Sequence, residues 1–184
     1  GTDAHSLPPR ISNSGVVGVT TNPAIFKAAI SDATEYSADI AALSGKSVEE
    51  VITNLTTDDV RIACDLFTDI YRTSNGFDGR VSIEVDPRSA HDTAATVKEG
   101  KALWQIIDRP NVLIKVPATL AGLPAITELI GAGISVNVTL IFSIERYTQV
   151  IEAYIAGIEL ADKNGVDPTQ IHSVASFFIS RLDT

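Results

Sequence analysis

Lys115 stands inside Asn111-Val-Leu-Ile-Lys-Val-Pro-Ala-Thr119, a β-branched apolar run that reads as a fully buried parallel strand with one amine near its C-terminal end. Burial disfavours an ammonium. A lysine of ordinary pKa, about 10.4, is neutral in roughly one molecule per thousand at pH 7.5, and burial lowers that pKa by up to ~3 to 5 units. A neutral amine attacks a carbonyl carbon to give a Schiff base, so the run points to covalent chemistry on a ketone or aldehyde. A lysine that snorkels to the surface or sits in a salt bridge fits the same run without chemistry. Its neighbours decide between these readings.

Side chains alternate across a strand, so residues two apart share a face. By that rule Thr20 and Asn22 share one face, as do Ser82, Glu84 and Asp86 on the next apolar segment, and Asn137 and Thr139 on a later one. Glu84, Lys115, Asn137 and Ser176 each fall four or five residues into their segments, which predicts similar heights in a parallel sheet. Taken singly, each is satisfied as a hydrogen-bonded buried polar group. Taken together they are hard to assign to packing, because each unsatisfied buried group costs about 1 to 3 kcal/mol.

Five apolar segments at 16–21, 80–85, 112–116, 134–142 and 172–179 alternate with helix-like stretches at 47–54, 57–71, 91–107, 123–129 and 143–163. Ser47-Val-Glu-Glu50 has the spacing of a capping box, while Thr56-Thr-Asp-Asp59 and Ser143-Ile-Glu-Arg146 offer N-cap side chains. Gly76 and Gly79, Gly131 and Gly133, and Asn164-Gly165 punctuate the helix-to-strand turns. The repeated βα pattern predicts an α/β fold with a parallel sheet, either open and doubly wound or closed as an eight-stranded (β/α)8 TIM-type barrel. No Gly-rich dinucleotide or phosphate loop follows a strand, which removes the best support for the open form. A barrel requires eight strands in about 250 residues. With 184 residues and five strands, the expectation is an incomplete barrel: an atypical N-terminal segment at 1–15, with Pro8-Pro9 and no clear strand, followed by a partial barrel domain at 16–184.

Composition narrows the function classes. Net charge −9 and clustered basic residues nowhere argue against nucleic acid or an anionic membrane as partner. The chain has one cysteine, Cys64, in a helix-like stretch, so no intrachain disulfide forms and a small buried apolar role is expected. His5, His91 and His172 are scattered without metal-ligand spacing, so no metal is expected. Without a signal-like N-terminus or an apolar run near 18 residues, a cytoplasmic location is expected.

Specific motifs add a family. Gly18-Val-Thr-Thr-Asn-Pro-Ala-Ile-Phe26 resembles the first signature of the transaldolases, and Val112-Leu-Ile-Lys-Val-Pro-Ala-Thr119 with Gly122-Leu123 resembles the signature around their Schiff-base lysine. Ser82-Ile-Glu-Val-Asp86, Ser135-Val-Asn-Val-Thr-Leu-Ile-Phe-Ser143 and Ser176-Phe-Phe-Ile-Ser-Arg181 are similar to the family's third, fifth and sixth barrel strands. The resemblance runs from about Val16 to Thr184 and is closest to bacterial, particularly actinobacterial, members. It implies that Lys115 forms the imine and that Glu84 and Thr139 position the water that relays protons. It further implies that Asn22 and Asn137 bind a dihydroxyacetone unit, that Ser176 and Phe178 line the substrate site, and that Arg181 grips the phosphate. The implied reaction is transfer of dihydroxyacetone between sugar phosphates in the pentose phosphate pathway, with no cofactor.

The sequence also departs from that pattern. The family's general acid/base aspartate belongs on a strand before Val16, where Asp3 is the only acidic residue and no strand is evident. Its last two strands, one with a second phosphate-binding arginine, have no counterpart before Thr184. An inactive chain, a lyase resembling fructose 6-phosphate aldolase and a non-catalytic barrel fragment therefore stand as alternatives. Open sheet edges lead one to expect association or a need for a complementary segment.

Overall fold

The computed structural model describes residues 7–31 and 36–179. Helix α1 (Leu7–Ser14) precedes β1 (Gly18–Thr20), followed by α2 (Pro23–Ser31), α3 (Ser37–Ala42), α4 (Val48–Leu66), α5 (Thr68–Thr73) and β2 (Arg80–Glu84). Then α6 (Thr93–Ile107), β3 (Val112–Pro117), α7 (Gly122–Gly131), β4 (Val136–Ile141), α8 (Ile144–Lys163) and β5 (Ser173–Phe177) alternate strictly. The strand order is sequential, β1-β2-β3-β4-β5. This is the expected parallel α/β arrangement of the barrel type, with five strands among the described residues, and all five coincide with the apolar segments read from the sequence.

The helices differ in two ways from the sequence reading. The stretch at 47–54 and most of that at 57–71 form one helix, α4, which runs through Thr56 and Thr57 to Leu66, and the rest of the second stretch falls in α5. These threonines do not cap a second helix. Their hydroxyls donate back to the Ile52 carbonyl at 2.9 Å and the Thr53 carbonyl at 2.7 Å, which satisfies them inside a helix. The capping box at Ser47 and Glu50 is present and starts the whole element. Helices α1, α2 and α3, absent from that reading, are short, and α2 begins where the Ile25 N–H donates to Asn22 Oδ1 at 2.9 Å and Pro23 takes the first turn.

Two compact units are distinguished, residues 1–83 with 106–112 and residues 84–105 with 113–184. In the first, β1 and β2 pair with Gly18 opposite Arg80 and Thr20 opposite Ser82. Asn111 ties this unit together by donating from its buried amide to the carbonyls of Cys64 (2.9 Å) and Gly79 (2.8 Å). Gly79 is required there. Its φ of +76° is left-handed, and a Cβ would stand 2.4 Å from the Tyr71 nitrogen.

In the second unit β3 is buried along its whole length, as a parallel strand covered on both faces must be. It pairs with β4 through Ile114–Val136, Lys115–Asn137 and Pro117–Thr139. Helices α7 and α8 approach closely because a glycine on each faces a branched side chain on the other: Gly131 against Leu160, and Gly157 against Ile130. The Ser143 hydroxyl accepts the Arg146 N–H at 3.1 Å and caps α8, as its position suggested.

Candidate active site

The second unit gathers its polar side chains around Lys115. The lysine keeps only 7% of its surface exposed, and its Nζ lies 3.1 Å from Glu84 Oε2 at the end of β2. Both alternatives offered by the sequence are thus present in one residue, a buried amine and a salt bridge. The register that sets Asn137 opposite Lys115 places both on one face, and Thr139, opposite Pro117, follows on that face. Asn137 is buried, and its Oδ1 accepts the Ser176 hydroxyl at 2.9 Å from β5. The similar heights expected for Glu84, Lys115, Asn137 and Ser176 hold: each touches the next or stands in register with it.

Thr139 adds a buried hydroxyl to this face. It is 1% exposed, and its hydroxyl has no hydrogen-bond partner among the described residues. A buried hydroxyl left without a partner costs about 1 to 3 kcal/mol. Phe178 lies just above, its N–H donating to the Ile141 carbonyl at 2.9 Å and its ring 5.4 Å from that of Phe142. Asn22 lies in the first unit, half-buried after β1, where its Oδ1 is engaged as the cap of α2. Arg181, Asp3 and His5 lie outside the described residues.

Further contacts of this unit cluster after β2 and β3, and one of their residues, Glu99, is not singled out by the sequence. The Asp86 N–H, two residues beyond Glu84, donates to Glu99 Oε1 of α6 at 2.9 Å, and burial pushes the Glu99 carboxyl above its ordinary pKa. Only its place on the inward side of α6 would have marked Glu99. Asp86 itself turns to Arg88, whose guanidinium holds its carboxyl below the usual range. The Thr119 hydroxyl accepts the Gly122 N–H at 2.9 Å and donates to the Ala90 carbonyl at 2.5 Å, joining the loops after β2 and β3. Cys64, in the first unit, is fully buried and its thiol is pushed up to about 12 by burial, consistent with a packing role. Among the described residues no cluster of histidine, cysteine and carboxylates is suited to a metal, and no helix is long and apolar enough to cross a membrane.

A charge-paired lysine on a buried strand, a carboxylate at proton-transfer distance and hydroxyl and amide groups in the neighbouring register can bind a polyol carbonyl compound and exchange protons with it. Comparison with known proteins is consistent with that chemistry. Residues 3–184 match the sequence model described as Transaldolase/Fructose-6-phosphate aldolase. The chain is 58% identical over 184 residues to Transaldolase 1 of Streptomyces coelicolor, covering 99% of this chain and 48% of that protein. It is 58% identical over 176 residues to a transaldolase of Mycolicibacterium smegmatis, and 55% identical over 176 residues to one of Mycobacterium marinum, in both cases covering 95% of this chain and 47% of the relative. The chain spans about half the length of the curated relatives it matches.

Proposed function

This chain belongs to the transaldolase/fructose-6-phosphate aldolase family, and we propose that its Lys115 forms a Schiff base with a ketose phosphate in a dihydroxyacetone transfer. The observation that carries the reading is the buried Lys115–Glu84 pair at 3.1 Å beside the unpartnered Thr139 hydroxyl. Glu84 takes a proton from the lysine, leaving a neutral amine to attack the ketone. Loss of water gives an iminium that draws electrons from the adjacent carbon-carbon bond as that bond breaks. An aldose phosphate departs, and the three-carbon enamine stays on Lys115 until an acceptor aldose phosphate takes it up.

In this proposal a water held between Glu84 and Thr139 relays the protons, which gives the Thr139 hydroxyl its partner. Asn137, oriented by Ser176, and Asn22 hold the hydroxyls of the bound fragment. Phe178 lines the substrate site, and Arg181 receives the phosphate through its fork of donors. The cycle closes on side chains and water, without a cofactor. Residues 16–184 act as part of a barrel domain behind a distinct segment at 1–15. An acidic chain with a buried thiol acting on sugar phosphates fits the pentose phosphate pathway in the cytoplasm, with neither nucleic acid nor membrane as partner.

Incubation with fructose 6-phosphate and borohydride, followed by peptide mapping, tests the proposal. Reduction is expected to mark Lys115, and Lys115→Met is expected to abolish the mark. Label on another lysine, or none on a cooperatively folded protein, refutes it. The family description also names an aldolase. Release of free dihydroxyacetone at the same rate with and without an acceptor would assign this chain to that reaction instead.

A further inference from the structure

Strand β4 breaks its alternation at one place. Val136 and Val138 are fully buried on the face opposite Asn137 and Thr139. Against β5, Val138 pairs with Ala175 and Ile141 with Phe177, so Thr139 and Leu140 together span the step that β5 covers with Ser176 alone. That is a two-for-one bulge. Phe177 lies on the helix-covered side, where its ring meets Tyr147 of α8 edge-on at 6.1 Å, while Ser176 beside it bonds Asn137 on the Lys115 side. Ile141, in register with Phe177 and fully buried, therefore shares the helix-covered face with Val138, three residues away instead of two.

The inserted residue is Leu140, with φ +60° and 37% exposure in a strand whose other residues are buried. Its exposure sets it apart from Val138 and Ile141, which are fully buried on the helix-covered face, and it directly follows Thr139 in the chain. Two residues on, the Phe142 ring lies 5.4 Å from that of Phe178. Glycine adopts this φ without penalty, whereas a leucine carries strain there. Backbone geometry alone would favour glycine, so the side chain must contribute something that offsets the strain.

Building on the imine chemistry above, we propose that Leu140 is a specificity-determining residue that shields the enamine carbon on Lys115 from water. That carbon either takes a proton from solvent or bonds to the carbonyl carbon of an acceptor aldehyde. In both branches the resulting iminium then adds one water, the C–N bond breaks, and the amine is freed together with a ketone. The ketone is free dihydroxyacetone in the first branch and the lengthened sugar phosphate in the second. Shielding from water acts on the choice between the branches and leaves formation of the imine untouched.

The test compares the full chain with Leu140→Gly, which keeps the left-handed bulge, Leu140→Ala, and Leu140→Met, which keeps apolar volume. Fructose 6-phosphate is the donor and erythrose 4-phosphate the acceptor. Borohydride trapping at Lys115 is expected to stay within about twofold in all three variants. The ratio of released dihydroxyacetone to transferred product is expected to rise about tenfold in the glycine and alanine variants and to stay near the parent value in the methionine variant. An unchanged ratio with trapping intact overturns the role of Leu140 and leaves the imine reading standing. Loss of trapping in the glycine and methionine variants alike makes Leu140 a structural residue and also overturns it. Failure of the parent chain to trap at Lys115 removes both proposals.

Discussion

Replacing Glu84 by Gln removes one charge from a pair whose side chains are only 9% and 10% exposed. At the observed 3.1 Å, and with an effective dielectric near 20, the gross attraction is about 5 kcal/mol. Burial of both ions offsets much of that, so the pair adds little net stability as a unit, but a lone charge left in its place costs about 3 to 5 kcal/mol. The carboxamide keeps an acceptor oxygen, which puts Glu84→Gln near the lower end, about 3 kcal/mol. Lys115→Met strands the carboxylate instead and is expected to cost a similar amount. In the Lys115→Met background, Glu84→Gln then removes the stranded charge and costs less than about 1 kcal/mol or stabilises. The coupling is therefore expected to exceed about 2 kcal/mol. Urea unfolding monitored by the single tryptophan, Trp104, reads the same compact unit as the pair. If Glu84→Gln costs the same in both backgrounds to within about 0.5 kcal/mol, the two side chains are energetically independent and the geometry of the site has been misread.

Gly157→Ala gains about 1 kcal/mol of helix propensity but drives a Cβ to 2.7 Å from the Ile130 Cβ. Overpacking of about 1 to 3 kcal/mol should prevail, and calorimetry should show a lower Tm; a higher one would mean that α7 and α8 separate easily. Cys64, fully buried with its thiol pushed up to about 12, should resist disulfide-exchange reagents at about pH 8 until denaturant is added. Rapid labelling of the native protein would contradict that burial. Asp65 accepts two bonds from Arg109, at 2.5 and 3.1 Å, and these hold its carboxyl below the ordinary value of 3.8. Because the folded pKa is depressed, the stabilisation is present above the unfolded value and is lost as pH falls through the folded one. Asp65→Asn should therefore be slightly less stable than the parent chain at neutral pH and indistinguishable from it in strong acid. A difference that persists in urea titrations at about pH 2 would point to packing rather than charge.

Much of the architecture was legible along the chain. A strand covered on both faces must be apolar throughout, which made residues 112–116 and 134–142 visible, and a lysine inside such a run was conspicuous for the same reason. Helix starts with a side-chain acceptor at the right spacing, Ser47 and Ser143, appeared where expected. Thr56 and Thr57 misled because a threonine can satisfy its hydroxyl either as a cap or on the preceding turn, and the local sequence is the same in both cases.

The sequence by itself determined which residues are candidates for the chemistry, because side-chain type and strand periodicity are local properties. Only the tertiary structure decided who meets whom. Glu84 and Lys115 lie on different strands, and no local rule sets the 3.1 Å between them; strand register does. Alternation would have buried Leu140 beneath the helices and sent Ile141 toward the site; instead Leu140 is partly exposed and Ile141 is buried in register with Phe177. A bulge is a mismatch between two strands, so one strand read alone does not reveal it.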